Sequence, residues 1–183
     1  MNQLPSRFFL QDTVLVAQKL LGKIISVDGV LGRIVETEAY GKDPASHAFK
    51  KTERSKIMFD TYGHVYVYLI YGMYNCINFT TGPVGEPGAV LIRAIEPLSH
   101  FEDMKLKRKK DKIKDLCSGP GKICQAFNIN NRFNNLKLGN EVKVFNDGYK
   151  VENISKSSRV GIKDALHLKW RFFITDNEFV SKI

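Results

Sequence analysis

Residues 23–40, KIISVDGVLGRIVETEAY, contain two β-rich runs separated by the dipeptide Asp28-Gly29. An Asp-Gly pair between such runs is a strong signal for a two-residue hairpin turn, because both turn residues tolerate positive φ. The stretch therefore predicts a strand over residues 23–27, a tight turn, and a long strand over residues 30–40. Strands joined by a short turn are antiparallel, and this sets the expected fold class.

The rest of the chain continues this pattern, with further short strands and a smaller number of helices. Asp12 is a plausible N-cap and Gly22 a stop for a helix within residues 10–21. Further strands are predicted at residues 65–71, 73–79, 89–95, 141–145 and 170–174, and further helices at residues 98–115 and after Ser118. We predict one compact α+β domain over residues 1–183, with a mixed, mostly antiparallel sheet, surrounding helices and a protruding β-hairpin.

The composition is that of a basic globular protein. Hydrophobic residues make up 43% of the 183 residues, which is enough for a sizeable core. Lys and Arg number 28 against 19 Asp and Glu, giving a formal charge of +9. Such an excess points to a polyanionic partner, either nucleic acid or an anionic membrane face. No apolar run approaches the ~20 residues of a membrane helix, and no secretory signal is evident, so we expect no membrane association and no secretion.

The cysteines and histidines do not form a metal-binding pattern. Cys76, Cys117 and Cys124 are an odd number, and without a signal sequence they indicate free thiols in a reducing compartment. Neither they nor the four histidines have zinc-ligand spacing, and the glycine-rich nucleotide-binding motifs are missing. We therefore expect no metal and no organic cofactor. The expected location is intracellular, in the cytoplasm or nucleoid of a bacterium or in the nucleus of a eukaryote.

Two acidic residues stand out in the second strand of the hairpin. Successive side chains of a strand alternate between its two faces. Ile34, Glu36, Glu38 and Tyr40 therefore share one face, which begins with an apolar side chain and ends with two carboxylates and a phenol. Either the strand leaves the core and its end is solvated, or a general base lies there beside an aromatic wall. Spacing alone does not choose between the two carboxylates. Arg93, inside the apolar run 90–96, requires a buried carboxylate, and either one could supply it.

Residues 66–74, YVYLIYGMY, place four tyrosines on a predicted hairpin. Such rings are costly when exposed and need hydroxyl partners when buried. An aromatic-rich core hairpin is one interpretation. In a chain of this charge, a hairpin whose rings stack on bases is the other. Tyr71, next to Gly72 at the turn, is placed to act as a wedge between stacked bases.

Three further features have a structural and a functional interpretation. The basic run 104–114, MKLKRKKDKIK, is either a solvated helix face or a set of phosphate contacts. Residues 118–122, SGPGK, favour an N-capped helix with a tight entry turn over a phosphate site to which Lys122 adds charge. His47, taken alone, is typical of an ordinary surface histidine.

Six blocks of the sequence, taken in order, carry a resemblance to a known family. They are GRIVETEAY (32–40), DPASHAF (43–49), MFDTYGHVYVYLIYGMYNCINF (58–79), GAVLIRAIEP (88–97), LCSGPGKICQAFNI (116–129) and RVGI (159–162). Together they resemble the alkyladenine (3-methyladenine) DNA glycosylase family over nearly the whole chain. The resemblance implies a monomer without metal or organic cofactor that acts on damaged double-stranded DNA. The implied reaction hydrolyses the N-glycosidic bond of a damaged purine and leaves an abasic site.

The resemblance also assigns roles to single residues. Glu38 matches the catalytic base, with Glu36 in support, and Arg93 and the backbone carbonyl of Val160 match groups that hold the nucleophilic water. Tyr71 matches the residue that intercalates where the nucleotide is extruded. The base pocket is implied to consist of Tyr40, His47, Tyr68 and Asn78, of which Asn78 discriminates against guanine. Arg54 and Lys122 are candidates for contacts to the DNA backbone.

Two other functions explain part of the sequence. A non-catalytic module that stacks single-stranded nucleic acid on its tyrosines accounts for the charge and the aromatic residues. This alternative does not explain why the sequence contains both Glu38 and Arg93. A relative that recognises damage without excising it has the same residue types as an active enzyme.

Overall fold

A computed structural model describes residues 1–70 and 72–181 of the chain. In this part of the chain nine strands form one antiparallel sheet: β1 (Asn2–Gln3), β2 (Ile24–Val27), β3 (Val30–Tyr40), β4 (Val65–Ile70), β5 (Tyr74–Thr80), β6 (Ala89–Pro97), β7 (Val142–Asn146), β8 (Ile154–Ser157) and β9 (Arg171–Ile174). The strands follow the order β1-β7-β2-β3-β6-β5-β4, and β9 joins β3 to β8 outside this path. The α-helices are α1 (Thr13–Leu20), α2 (Lys56–Asp60), α3 (Phe101–Arg108) and α4 (Pro120–Ala126).

Strand β3 is the centre of the sheet and changes partner along its length. Its first four residues pair with β2, whereas residues 36–38 pair with β9. The register with β6 shifts between Ile34 and Glu36, which is a β-bulge that increases twist and re-aims side chains. Ile34 and Val35 both lie in the hydrophobic core, so strict alternation is interrupted at the bulge. Beyond the bulge, Glu36 and Glu38 both contact Arg93 of β6, whereas Thr37 faces helix α1.

Helix α1 packs against β3, and helix α4 packs against β5 and β6. Asp12 caps α1 through a hydrogen bond from the Leu15 amide to its carboxylate, 2.9 Å long. Helix α1 buries Val16, Ala17 and Leu20, and the Thr37 hydroxyl of β3 donates to the Ala17 carbonyl at 2.8 Å. The main cluster of buried apolar residues runs from Phe9 to Ile174. A second, smaller cluster consists of Ala48, Met58, Tyr66 and Ala89. Cys76, Cys117 and Cys124 are buried in this fold as free thiols.

The sequence predicted most of these elements. The α+β class, the hairpin at Asp28-Gly29 and the strands at residues 65–71, 73–79 and 89–95 are confirmed to within a few residues, although Tyr71 lies outside the described residues. The helix predicted over residues 98–115 is confirmed at Phe101–Arg108, but its predicted length is wrong. Helix α3 stops at Arg108, because Lys109 adopts a left-handed conformation with φ 51° and only Met104 of the helix is buried. A 3₁₀ turn at Ile113–Asp115 follows.

Shorter elements were not predicted. These are β1, β8 and α2, with two, four and five residues, too short for a hydrophobic period to show. Across residues 1–70 and 72–181, no helix combines the length and the hydrophobicity needed to span a membrane.

Candidate active site

A cavity of about 340 Å³ opens beside the end of β3, where Tyr40 contributes to its lining. Most of the predicted pocket residues line it, together with Tyr66, Met58 and the segment 160–162. The predicted residues among its lining are Tyr40, His47, Arg54, Tyr68, Asn78 and Val160. The chain brings these side chains together from β3, β4, β5 and two loops.

Glu38 lies directly behind this cavity and is fully buried. Its Oε1 accepts a hydrogen bond from the Val160 amide at 2.7 Å, and its Oε2 accepts one from the Tyr40 hydroxyl at 2.8 Å. The Arg93 Nη1 is 3.5 Å from Oε1. Burial raises the pKa of Glu38 above its ordinary value, while the Arg93 charge and the two hydrogen bonds oppose the rise. The carboxylate is thus desolvated, fixed in orientation, and bonded to two residues of the cavity wall.

Glu36 is also fully buried, but its surroundings differ. Its Oε1 accepts from Arg93 Nε at 3.0 Å, from Arg171 Nε at 2.6 Å and from the Ser181 hydroxyl at 2.9 Å. Its Oε2 accepts from the Ser181 amide at 2.8 Å. The alternative of a solvated strand end is therefore wrong for both carboxylates. Arg93 contacts both of them, which explains why a guanidinium lies within an apolar strand.

Three aromatic rings form one wall of the cavity. The His47 ring meets Tyr68 edge to face with centroids 4.6 Å apart, and Tyr66 and Tyr68 are 5.4 Å apart. His47 Nδ1 is 3.0 Å from the Tyr66 hydroxyl. Burial, and secondarily the Arg54 charge, lowers the pKa of His47, so the ring is neutral at pH 7. The pKa of Tyr68 is raised, chiefly by burial, so its phenol stays protonated.

Arg159 connects segments on opposite walls of the cavity. The sequence did not predict this role. Its guanidinium pairs with both Asp43 oxygens, at 2.6 Å and 3.1 Å, and donates to the Ala39 carbonyl at 3.1 Å. It lies over the rings of Tyr40 and Trp170, 4.7 Å and 5.3 Å from their centroids. Asp43 begins the loop that carries His47, and Arg159 precedes Val160. One buried ion pair therefore sets the positions of two pocket loops.

The remaining predicted residues occupy different surroundings. Asn78 is buried, lines the cavity, and donates from Nδ2 to the Tyr66 carbonyl at 3.0 Å. Arg54 is exposed, donates to the Leu69 carbonyl at 3.0 Å, and lies over the Tyr68 ring. Lys122 is exposed on α4, away from the cavity lining, with its Nζ 3.1 Å from the Ser118 hydroxyl. Tyr71 lies outside the described residues.

Sequence reasoning missed Tyr66, Arg159, Asp43, Arg171 and Ser181 as parts of this site. Tyr66 was visible only as one of four tyrosines, and alternation along β4 would place it with Tyr68. The two arginines gave a weaker signal, since Arg159 follows two serines and Arg171 lies between Trp170 and Phe172. The carboxylates that they bind are more than 100 residues away in the chain.

Aromatic side chains around a cavity, with one buried carboxylate behind it, are typical of a site for a planar ring. The family model described as "Methylpurine-DNA glycosylase (MPG)" matches residues 7–178. The chain therefore belongs to the methylpurine-DNA glycosylase family.

Individual relatives are similar over their full lengths. A protein of Clostridium novyi (strain NT) is 43% identical over 200 residues, covering 100% of both chains. One of Bdellovibrio bacteriovorus is 45% identical, covering 98% of each chain, and one of Agrobacterium fabrum is 44% identical, covering 98% of this chain and 93% of its own. All three bear the name "Putative 3-methyladenine DNA glycosylase".

Proposed function

We propose that this protein is a monofunctional DNA glycosylase that hydrolyses the N-glycosidic bond of alkylated or deaminated purines in duplex DNA. Residues 1–183 act as one glycosylase domain and as a monomer. The observation that carries the proposal is the position of Glu38, a fully buried carboxylate bonded to two residues of an aromatic-walled cavity. The family and the names of the relatives support a DNA substrate.

The cavity suits an extruded purine. A base inside a duplex is inaccessible, so the nucleotide must rotate out of the stack at a cost of a few kcal/mol. The rings of Tyr40, His47 and Tyr68 then provide stacking surfaces for the base. Purines alkylated at a ring nitrogen carry positive charge, which the faces of tyrosine rings attract. A neutral His47 adds a stacking surface without repelling such a cation.

Glu38 is the general base of the proposed reaction. It takes a proton from the water whose oxygen forms a bond to C1′, while the C1′–N bond breaks and its electron pair leaves with the base. A carboxylate whose pKa is raised toward the working pH is a stronger base, and its negative charge stabilises the developing oxocarbenium ion. Arg93 and the Val160 carbonyl hold the water. The contact from Val160 to Glu38 in the structure is made by the amide N–H, and the carbonyl's contact with water stays a prediction.

The remaining roles concern the DNA around the lesion. We assign Tyr71 to the gap that the extruded nucleotide leaves, and the exposed Arg54 and Lys122 to phosphate contacts. The net charge of +9 favours the approach of the duplex. No lysine is proposed to form a Schiff base with C1′ of the sugar. We therefore expect the DNA strand to break only after the abasic site is treated with alkali.

Excision from defined duplexes tests this function. Oligonucleotides with one 3-methyladenine, hypoxanthine, ethenoadenine or 7-methylguanine are incubated with excess enzyme, and strand breaks are counted after hot alkali. We expect release of at least one of these bases and no break in undamaged duplex. Binding of all four duplexes without release of any base would instead identify a non-catalytic binding protein.

Selectivity against guanine is expected to depend on Asn78. Guanine differs from the adenine-type bases by its exocyclic amino group at C2, which stacking does not sense, so its rejection requires an obstacle aimed at that group. Asn78→Ser shortens the side chain in the cavity and should raise the ratio of 7-methylguanine to hypoxanthine excision, measured as single-turnover rates. Asn75→Ser is the control, because Asn75 lies on the same strand and donates to Ile129, away from the cavity lining. An unchanged ratio in Asn78→Ser would make this residue structural.

Extrusion of the nucleotide is expected to depend on Tyr71. A stacked ring is worth ~1–3 kcal/mol, so Tyr71→Ala should lower the flipping equilibrium by roughly ten- to a hundredfold. A fluorescent base analogue at the lesion reports flipping directly. Tyr149→Ala serves as the control, since Tyr149 is exposed and lies over Arg33, remote from the cavity lining. Equal fluorescence in the two variants would exclude the intercalating role.

A further inference from the structure

Glu36 joins three distant parts of the chain at one buried carboxylate. The donors come from β6 through Arg93, from β9 through Arg171, and from Ser181 through both its amide and its hydroxyl. Each lies at least 57 residues from Glu36 in the sequence. Arg171 also donates to the Ser181 carbonyl at 3.4 Å and to the Ser157 hydroxyl at 3.1 Å. The hydrogen bonds that converge on Glu36 hold its carboxylate in a single orientation.

The bond from Arg93 to Glu36 determines what the rest of the guanidinium can reach. Arg93 gives its Nε to Glu36 at 3.0 Å, and its Nη1 then lies 3.5 Å from Glu38. A guanidinium is rigid and planar, so fixing Nε fixes the direction of the two terminal nitrogens. Within the described residues Arg93 has these two carboxylate partners and is itself buried.

The charges of this cluster balance. Two carboxylates, Glu36 and Glu38, face two guanidinium groups, Arg93 and Arg171. A buried charge is tolerated when it is paired and hydrogen-bonded, and removing one partner leaves the others uncompensated. A change at Glu36 therefore alters the electrostatic surroundings of Glu38 even though the two carboxylates share no hydrogen bond.

We propose that Glu36 is a positioning residue that holds Arg93 against Glu38, and that Arg171 and Ser181 hold Glu36 in turn. Ser181 thereby becomes part of the machinery that orients the catalytic base, although it lies outside the cavity lining. This inference rests on the proposed function, in which Glu38 is the base.

Glu36→Gln tests this role directly. Coupled residues in one network commonly show non-additive effects, and we expect the single-turnover rate to fall about ten- to a hundredfold with an unchanged Kd for lesion-containing DNA. If Glu36 acts through Arg93, the double variant Glu36→Gln/Arg93→Gln should react about as fast as Arg93→Gln alone. Multiplying effects in the double variant, or a folded Glu36→Gln protein with the wild-type rate, would overturn the proposal.

The pH profile supplies a readout that a purely structural role would not change. The groups that influence Glu38 across its packed surroundings are Glu36, Arg93, Tyr40, Tyr68 and Cys76. The negative charge of Glu36 contributes to the raised pKa of Glu38. In Glu36→Gln this charge is absent, and Arg93 and Arg171 are left with one carboxylate between them. The pKa of Glu38 should therefore fall, and the range in which the rate rises with pH should move to lower pH. An unchanged range would contradict the proposal.

Ser181→Ala provides a milder variant that leaves every charge in place. It removes one hydroxyl donor from Glu36 and should slow the single-turnover rate by about two- to tenfold. Ser155→Ala is the matched control, because it removes a 2.9 Å hydroxyl bond to Thr175 between the neighbouring strands without touching Glu36. Equal rates for the two serine variants would overturn the role of Ser181. Absence of base release by the wild-type protein would instead refute the proposed function, so the two failures are distinguishable.

Discussion

Glu38→Gln is expected to abolish base release while the protein stays folded and binds damaged duplex DNA. Glutamine keeps the shape of the side chain but cannot accept a proton from water or oppose the positive charge at C1′. Loss of a general base costs about 10²–10⁴-fold in rate, and loss of charge stabilisation adds to this. Single-turnover excision of the preferred lesion, measured beside a Kd for the same duplex, checks the prediction.

Stability is not expected to explain that loss. Burial raises the pKa of Glu38, so the folded protein binds this proton more tightly than the unfolded chain does. The ionised carboxylate therefore costs stability as the pH rises through the raised pKa. Glutamine resembles the protonated form and avoids this cost, but it leaves Arg93 and Arg171 with Glu36 as their one carboxylate partner. Because the two effects oppose each other, the variant should have a Tm at neutral pH close to that of the wild type. Glu152→Gln, at an exposed carboxylate, is the control for the substitution itself. A near-normal excision rate in Glu38→Gln would shift the assignment to Glu36.

Arg159→Met is expected to cause the largest loss of stability among these substitutions. It leaves Asp43 buried without its guanidinium partner, and breaking a buried ion pair in this way costs about 3–5 kcal/mol. For a domain of this size that corresponds to a fall in Tm of roughly 6–20 °C. Thermal unfolding followed by circular dichroism measures it. Because Arg159 also connects the loop of His47 to Val160, the same variant should bind lesion-containing DNA more weakly.

Two comparisons separate this effect from general sensitivity to arginine removal. Arg132→Met breaks the pair with Asp28, whose side chains are both largely exposed, and should cost no more than about 1 kcal/mol. Combining Arg159→Met with Asp43→Leu removes both buried charges and should recover part of the lost Tm. If Arg159→Met and Arg132→Met had the same Tm, the buried pair would not hold the two loops together.

The parts of the fold that depend on local sequence were predictable. The Asp28-Gly29 turn needs two residues with positive φ, which the structure shows at 46° and 84°. The strands around it follow from runs of β-branched residues. The helix predicted over residues 98–115 was too long, because its charges give no apolar face that could pack beyond Met104. Charge density alone does not fix where such a helix ends.

The candidate site could be predicted only in part, for a physical reason. Glu36 and Glu38 are two residues apart on one strand face, so no property of the local sequence distinguishes them. The distinction comes from β9 and from Ser181, which approach Glu36 from the far end of the chain, and from Val160, which approaches Glu38. The choice of Glu38 in the sequence came from the family resemblance, and its role stays a proposal.

The three buried cysteines have a consequence for the chemical durability of the protein. Burial raises the pKa of Cys76 to about 11 and that of Cys117 to about 12, and it raises the pKa of Cys124 as well. The thiolate is the reactive nucleophile, so these side chains stay protonated and shielded at neutral pH. Methylating agents that damage purines also attack accessible thiolates. If the protein acts as proposed, we expect its buried thiols to make it resistant to the reagents that generate its substrates.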